Sequence, residues 1–169
     1  MAQTIYGAQL FKSPGNPTNT DGGRIAGKNS EAFTANDVVT TNSRQTGLKV
    51  AGATAPIYGV VLKTVTMASN NLSLAAPVAP SCFIAETNTE WLMGTNADLG
   101  TLTSLGQYYK LTGTTGVQQV DVASGTTATT SRIVLCTEVD PNQLGGSGAG
   151  SGLRQGLFKF VDVVDFQQG

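Results

Sequence analysis

The feature that most constrains the fold is a set of short segments in which apolar and polar residues alternate. Residues 107–112 and 117–123 show it, and residues 131–139 alternate in the same way between two faces, of which the second also carries Val134 and Cys136. A period of two puts the apolar side chains on one face of a β-strand, so each segment predicts a strand. The residue types agree, because the chain has 23 Thr and 15 Val but only four Glu, and β-branched residues favour strands. The sequence therefore predicts an all-β domain.

Other segments extend this prediction less uniformly. Residues 57–67 are predicted as one long strand in which Lys63 alone interrupts an apolar face. The loop at 124–130 predicts that the strands on either side of it pair antiparallel. Residues 90–105 fit either a short helix or a loop held by leucines, since Gly100 and several threonines weaken the helix. Strands are also predicted at four further places: 46–53, 72–76, 81–86 and 153–164.

Residues 1–45 differ from the rest of the chain. Pro14, Pro17 and the paired glycines at 22–23 oppose a regular helix or a central strand. Apolar residues come singly or in pairs, and the low charge argues against a disordered tail. We interpret this segment as an extended N-terminal arm that gains order by packing against a partner, followed by a β-rich domain over 46–169. Four apolar residues are the predicted anchors of the arm: Ile5, Tyr6, Leu10 and Phe11.

Residues 145–152 read Gly-Gly-Ser-Gly-Ala-Gly-Ser-Gly, which by composition is a flexible loop within the β-rich domain. A phosphate-binding loop would need Gly-Lys-Ser/Thr and the start of a helix directly afterwards. Neither follows, so the segment does not predict a nucleotide site.

Charge argues against several classes of partner. Only 21 of the 169 residues are Asp, Glu, Lys or Arg, and the formal net charge is −1. Binding to nucleic acid needs a basic surface that neutralises phosphates. A membrane-spanning helix needs about 18 consecutive apolar residues, and a signal peptide needs a basic start before an apolar run. The sequence has none of these patterns, so we expect no nucleic-acid partner and no membrane partner.

The residues that carry most enzyme chemistry are scarce. Histidine, the commonest general base and metal ligand, does not occur. Cys82 and Cys136 have no Cys-x-x-Cys spacing, and they are predicted to be buried thiols rather than a disulfide. No Gly-x-Ser-x-Gly elbow or calcium-loop spacing occurs either. We therefore expect a protein that is not an enzyme and has no cofactor or metal.

Two pairs of carboxylates are candidates for a general acid and a general base. Glu86 and Glu90 flank a predicted turn. Asp162 and Asp165 are three residues apart in a predicted strand, so their side chains point to opposite faces. Both pairs are interpreted as solvated surface groups, which is the usual state of such residues.

Three aromatic residues are the alternative binding groups. In a strand, the doublet Tyr108-Tyr109 places one ring in the core and one at the surface. If both rings and Trp91 were displayed together, they would form a platform for a carbohydrate or another surface.

Three stretches of the chain, residues 105–126, 133–141 and 156–161, together resemble small β-rich structural proteins of tailed bacteriophages. The group they are most similar to is the head decoration, or cement, proteins. The resemblance lies in texture and strand order and covers less than half of the chain. It implies a small β-barrel or β-tulip-like domain, a homotrimer clamped onto the major capsid protein lattice, and an extended terminal arm that touches the shell.

On this resemblance the expected function is to decorate and stabilise a phage capsid shell. The protein would be made in the host cytoplasm and would lie on the outer capsid surface of the virion. Two alternatives remain open at this point. One is another virion structural subunit, from a tail tube or a head–tail completion ring, and the other is a carbohydrate- or surface-binding β-module.

Overall fold

The computed structural model describes residues 5–12, 20, 23–41, 48–53, 56–99, 104–128, 132–139 and 155–164. Within these ranges the regular structure is strand, apart from a 3₁₀ turn at Asn71–Ser73. In chain order the strands are β1 (Ala8–Lys12), β2 (Ala32–Phe33), β3 (Val38–Thr41), β4 (Leu48–Val50), β5 (Gly59–Val61), β6 (Val65–Thr66), β7 (Cys82–Ile84), β8 (Glu90–Gly94), β9 (Tyr108–Thr112), β10 (Gln119–Thr126), β11 (Val134–Val139) and β12 (Gln155–Phe160). The predicted all-β class is confirmed.

The strands form three antiparallel sheets. The largest has six strands in the order β1-β8-β12-β11-β9-β10. A four-stranded sheet has the order β4-β3-β5-β7, and β2 pairs with β6 in a separate ribbon. β1 and β10 are therefore the outer strands of the six-stranded sheet.

Neighbouring residues of the four-stranded sheet pack into two different hydrophobic cores. Val38 and Val60 belong to the main core, which they share with Trp91, Tyr109 and other inward side chains of the six-stranded sheet. Their chain neighbours on β3 and β5 point the other way, into a second core with Phe33 of β2. Alternate side chains of a strand lie on opposite faces, so this sheet is covered on both sides. Strands that are buried on both faces have consecutive apolar residues, and β3 and β5 each contain a Val-Val pair.

Aromatic rings fill the centre of the main core. The ring centroids of Trp91 and Phe160 lie 5.6 Å apart, and those of Tyr109 and Phe158 lie 6.1 Å apart in an edge-to-face arrangement. Offset and edge-to-face pairs of this kind are favourable beyond the area they bury. They come from β8, β9 and β12, so they tie the middle of the six-stranded sheet together.

The two ends of the six-stranded sheet approach each other without a continuous ladder between the strands described. Thr95, just after β8, forms a single parallel bridge with Val120 of β10, and the Asn96 N–H donates to Val120 O at 3.0 Å. These contacts curl the sheet. The barrel or β-tulip implied by the resemblance is thus not found as a closed barrel in the described residues.

Much of the predicted N-terminal arm is part of the folded domain. β2 and β3 lie inside the predicted range 1–45, and Phe33, Val38 and Val39 are fully buried. The prediction of an arm is wrong for this part of the chain, because valines at consecutive positions pack into the two cores on either side of β3. β1 is also paired, as the outer neighbour of β8.

Two predictions of local structure are also corrected. Residues 57–67 do not form one strand, since the chain bends at 62–63 between β5 and β6. The bend keeps Lys63 exposed, whereas a straight strand would bury its ammonium group at considerable cost. Residues 90–94 form β8 rather than a helix or loop. The side chains of Trp91 and Met93 both lie in the core, and the backbone pairs with β1 on one side and β12 on the other.

The predicted pairing across the loop at 124–130 is wrong as well. β9 lies between β10 and β11, and β11 pairs with β9 and β12. The 72–76 segment contains part of the 3₁₀ turn instead of a strand. The strands predicted at 46–53, 81–86, 107–112, 117–123, 131–139 and 153–164 are present with shifted bounds. The glycine-rich loop at 145–152 lies outside the described residues.

Candidate functional site

The four predicted anchor residues lie on and just before β1, at the rim of the six-stranded sheet. Ile5 is half-buried, while Tyr6 and Leu10 are 42% exposed and Phe11 is 59% exposed. Three large apolar side chains thus face solvent within one short stretch of chain. We call β1 together with the side chains of Tyr6, Leu10 and Phe11 the β1 edge.

Close backbone contacts fix the position of this edge. A Cβ added at Gly94 would lie 1.8 Å from the Ile5 carbonyl oxygen, so β8 carries glycine where the incoming chain touches it. Gly7 has a positive φ of 69° and donates its N–H to Gln118 O at 2.8 Å. Glycine adopts that backbone readily, and a Cβ at this position would lie 2.2 Å from the Asn36 carbonyl oxygen. The chain is therefore held rigidly where it enters β1.

One backbone donor on the outer side of β1 is already bonded within the chain. The Ala8 N–H points away from β8 and donates to Asn36 O at 2.9 Å. N–H groups of alternate strand residues point the same way, which directs the Leu10 N–H to that side too. No strand beyond β1 is present in the part of the chain that the structure describes. An exposed edge of this kind is a template for pairing with another strand.

A β-bulge explains the high exposure of Phe11. Leu10 pairs with Trp91 and Lys12 pairs with Glu90, so Phe11 is the extra residue between two consecutive partners. A bulge bends the strand and re-aims the side chain of the inserted residue. Here it turns an aromatic ring outwards.

The carbohydrate platform considered from sequence is not assembled. Trp91 is 0% exposed and Tyr109 is 1% exposed, while Tyr108 is half-buried. The prediction that the tyrosine doublet divides between core and surface is confirmed. Two of the three rings that would have stacked on a sugar, those of Trp91 and Tyr109, are instead core residues.

The cysteines and paired carboxylates are not arranged for catalysis. Cys82 and Cys136 are buried and do not form a disulfide, as predicted, and burial raises the pKa of the Cys136 thiol to about 11. A thiol in that state is a poor nucleophile at neutral pH. Glu86 and Glu90 flank the predicted turn, in which Thr89 donates its N–H to Glu86 O. Asp162 is exposed, and Asp165 lies outside the described residues.

An open cleft of about 390 Å³ lies between the residues before β2, the end of β4 and the β9–β10 turn. Its one carboxylate belongs to Glu31, which accepts a hydrogen bond from the Val50 N–H at 3.0 Å. Among its other described lining residues, only Ser30, Thr114 and Thr115 carry polar side chains. The lining thus includes no pair of a nucleophile and a base.

Asp37 is a buried carboxylate that sequence reasoning missed. It accepts hydrogen bonds from Thr34 N and Gly116 N, at 2.8 and 2.7 Å, and from the Thr115 hydroxyl. With its oxygens so engaged, it ties the β9–β10 turn to the turn before β3. The Asn36-Asp37 dipeptide is a sequence signal for this turn, because asparagine tolerates a positive φ, and Asn36 has a φ of 76°.

Gln118 and Asn71 are two further buried polar residues that hold segments together. The Gln118 amide accepts from Val38 N at 2.6 Å and donates to Val38 O and Ala51 O. It therefore takes the place of a neighbouring strand for the start of β3. The Asn71 amide closes the loop after β6 by hydrogen bonds to the backbone of Val78 and Gly27. Nothing in the sequence distinguishes these amides from surface ones.

Chemistry-bearing groups are dispersed over the described residues. No group of three or more His, Cys, Asp or Glu is close enough there to hold a metal ion. None of the helical structure described is long and apolar enough to cross a bilayer. The β1 edge is thus the feature of this surface that most resembles a binding site. Comparison of the chain with protein-family models, with curated proteins and with solved structures finds no match.

Proposed function

We propose that this protein is a non-enzymatic structural subunit that decorates and stabilises a phage capsid shell by binding the major capsid protein. The observation that carries the proposal is the β1 edge, where Tyr6, Leu10 and Phe11 are exposed on or just before a strand that has no neighbour on its outer side among the described strands. The proposal also draws on the resemblance of the strand sequences to decoration proteins. In the virion the protein would lie on the outer capsid surface.

The β1 edge suits binding to another protein by strand addition. A partner strand would take main-chain hydrogen bonds from the outer side of β1, and it would cover the exposed side chains. Monomeric proteins usually block such edges with charges, proline or a covering loop. At this edge the exposed side chains include two aromatic rings and a leucine. Lys12, the last residue of β1, is the one charged residue of the strand.

Several copies acting together would strengthen a modest contact. Each β1 edge offers only a short strand and three apolar side chains. In a homotrimer bound to a repetitive shell, the second and third edges would bind at high effective concentration. The proposed trimer therefore gives a weak individual contact a useful avidity.

The experiment adds purified protein to undecorated shells and measures the temperature at which the shells open. A bound protein stabilises the state it binds, so we expect the opening temperature to rise with free protein concentration. The double variant Leu10→Ser, Phe11→Ser should lose this effect. Val117→Ser is the matched control, since Val117 is also an exposed apolar residue but lies on the β9–β10 turn.

Two results would contradict the proposal. In one, the wild-type protein fails to associate with shells at any concentration. In the other, both variants stabilise shells as well as the wild type does. Electron microscopy of the particles places bound protein on the shell or, for the alternative virion subunit, on a tail or connector.

A further inference from the structure

The loop between β6 and β7 is a second exposed apolar surface, on the opposite side of the four-stranded sheet from the main core. Leu72, Leu74 and Val78 are each more than a third exposed, and Ala75–Pro77 are exposed between them. Between Lys63 and Glu86 the chain has no charged residue. Loops of soluble proteins are usually polar, so an uncharged apolar loop of this length suggests a contact surface.

The loop is held in a fixed shape from inside. Asn71 is fully buried, and its Nδ2 donates to Gly27 O and Val78 O, both at 2.8 Å. Its Oδ1 accepts from Val78 N at 2.9 Å. One amide therefore closes the loop and attaches it to the chain before β2. A preformed surface loses little conformational entropy when it binds.

Three exposed basic residues surround the loop. Arg24 follows Gly23, which packs against Ala79, and Lys28 lies between two residues that hydrogen-bond to the loop. Lys63 follows Leu62, whose N–H donates to Ser81 O at 2.9 Å. The backbone contacts thus place all three at the margin of the loop. We call the loop 68–80 with Arg24, Lys28 and Lys63 the basic loop face.

The opposite charge collects in the other half of the chain. Residues 23–81 contain five Lys and Arg against two Asp and Glu, whereas residues 82–169 contain four against eight. The first half supplies most of the four-stranded sheet, and the second supplies five strands of the six-stranded sheet. A net charge of −1 therefore hides two halves of opposite sign.

Two exposed carboxylates of the acidic half belong to chain segments that meet at Gly156. Asp98 precedes Leu99, whose side chain packs against Gly156, and Gly156 also lies beside the backbone carbonyl oxygen of Glu138. Asp98 and Glu138 are both exposed. We call this pair the acidic patch. It lies on the six-stranded sheet, whereas the basic loop face borders the four-stranded sheet.

We infer that the basic loop face of one copy of this protein binds the acidic half of a second copy, at or near the acidic patch. Two different complementary surfaces on one chain make a head-to-tail contact, which closes into a ring when the rotation between copies allows it. Apolar contact from the loop supplies affinity, and the opposite charges set the orientation and exclude like-to-like pairing. The inference deepens the proposed function by assigning the trimer contact, but its test uses the protein alone.

The test measures self-association by analytical ultracentrifugation over a dilution series. We expect the wild-type protein to associate reversibly and to dissociate more readily at about 1 M salt, where charges are screened beyond about 3 Å. The variant Lys28→Glu, Lys63→Glu should raise the dissociation constant about tenfold or more. The variant Asp98→Lys, Glu138→Lys should do the same. All four positions are exposed, and circular dichroism checks that each variant is folded.

The variant that combines all four substitutions gives the most specific test. It exchanges the basic pair and the acidic pair within one chain, so the two surfaces are again complementary, and it should associate more tightly than either double variant. A wild-type protein that stays monomeric throughout, or association that neither double variant weakens, would overturn the inference. So would a fourfold variant that associates no better than its parents.

Lipid is the rival occupant of an apolar loop bordered by bases. Vesicles of phosphatidylcholine and phosphatidylserine test it directly by co-sedimentation. Binding that Lys28→Glu, Lys63→Glu abolishes, in a protein that does not self-associate, would assign the loop to an anionic membrane surface and overturn the inference. Because no shell enters these experiments, failure here is distinguishable from failure to decorate a capsid.

Discussion

Two apolar doublets from the N-terminal part of the chain have opposite fates. Leu10-Phe11 lies on β1 and is about half exposed, whereas Val38-Val39 lies on β3 and is fully buried. Among the described strands β1 has one neighbour, while β3 has β4 and β5 beside it and a hydrophobic core on each face. The doublets look alike in sequence. They differ because strands and hydrophobic cores surround the Val38-Val39 doublet, whereas the Leu10-Phe11 doublet lies at the edge of a sheet.

The sharpest way to test this contrast is to place a charge in each doublet. Val39→Asp buries a carboxylate among Phe33, Tyr58 and Met67, and we expect it to cost about 4 kcal/mol or more, enough to unfold a small domain. Phe11→Asp should change stability by less than about 1 kcal/mol. Chemical denaturation followed by tryptophan fluorescence measures both. Equal losses at the two sites would show that β1 is as deeply integrated as β3.

The next largest effect concerns the side chain that substitutes for a strand beside β3. Gln118→Ala leaves Val38 N–H and the carbonyls of Val38 and Ala51 without this partner, and we expect a loss of about 3 kcal/mol. The control is the neighbouring Gln119→Ala, which removes one half-exposed bond to Thr95 O and should cost about 1 kcal/mol. A loss for Gln118→Ala no greater than for the control would show that water replaces the amide.

A smaller effect on stability is expected from Cys136, which lies in the main core on β11 of the six-stranded sheet. Burial raises the pKa of the Cys136 thiol to about 11, above the ordinary value of 9.0. Between these values the unfolded chain releases the proton and the native protein keeps it, so stability should fall as the pH rises through this window. We expect a loss on the order of 2 kcal/mol from this group. Cys136→Ala should flatten that part of the stability curve, and an unchanged slope would contradict the assignment.

The smallest effect on folding is expected at the β1 edge itself. Leu10→Ser with Phe11→Ser removes two side chains of which about half is already in water, so the free energy of unfolding should fall by less than about 2 kcal/mol. Hydrogen exchange at the β8 amides checks that β1 remains paired. Rapid exchange there would mean that these side chains fasten the strand, and the contrast between the doublets would be weaker than proposed.

The sequence predicts strands well where apolar and polar residues alternate. β9, β10 and β11 come from such segments, and their bounds shift by only a few residues. β8 was missed, since Glu-Trp-Leu-Met-Gly is a nearly continuous apolar run that has no period of two. Such a run is typical of a strand with neighbours on both sides, yet alone it does not distinguish a strand from a helix.

Tertiary context accounts for most of what the sequence did not reveal. The order of strands in the six-stranded sheet depends on which segments meet, and adjacency in the chain misplaced β10 beside β11. The roles of Asp37, Gln118 and Asn71 rest on partners up to 80 positions away in the chain. By contrast, the anchors on β1 were identified from local pattern, and the structure leaves three of the four exposed.

The amide of Gln118 also has a consequence for how the chain folds. It reaches across 80 residues to the start of β3, and Asp37 reaches 79 residues to Gly116. β3 is therefore complete only after β9 and the following turn have been synthesised. Closing such long loops before any contact rewards them makes folding slow compared with domains built from local contacts. On the ribosome, the first half of the chain must wait with its valines uncovered, which makes this period the time of greatest risk of aggregation.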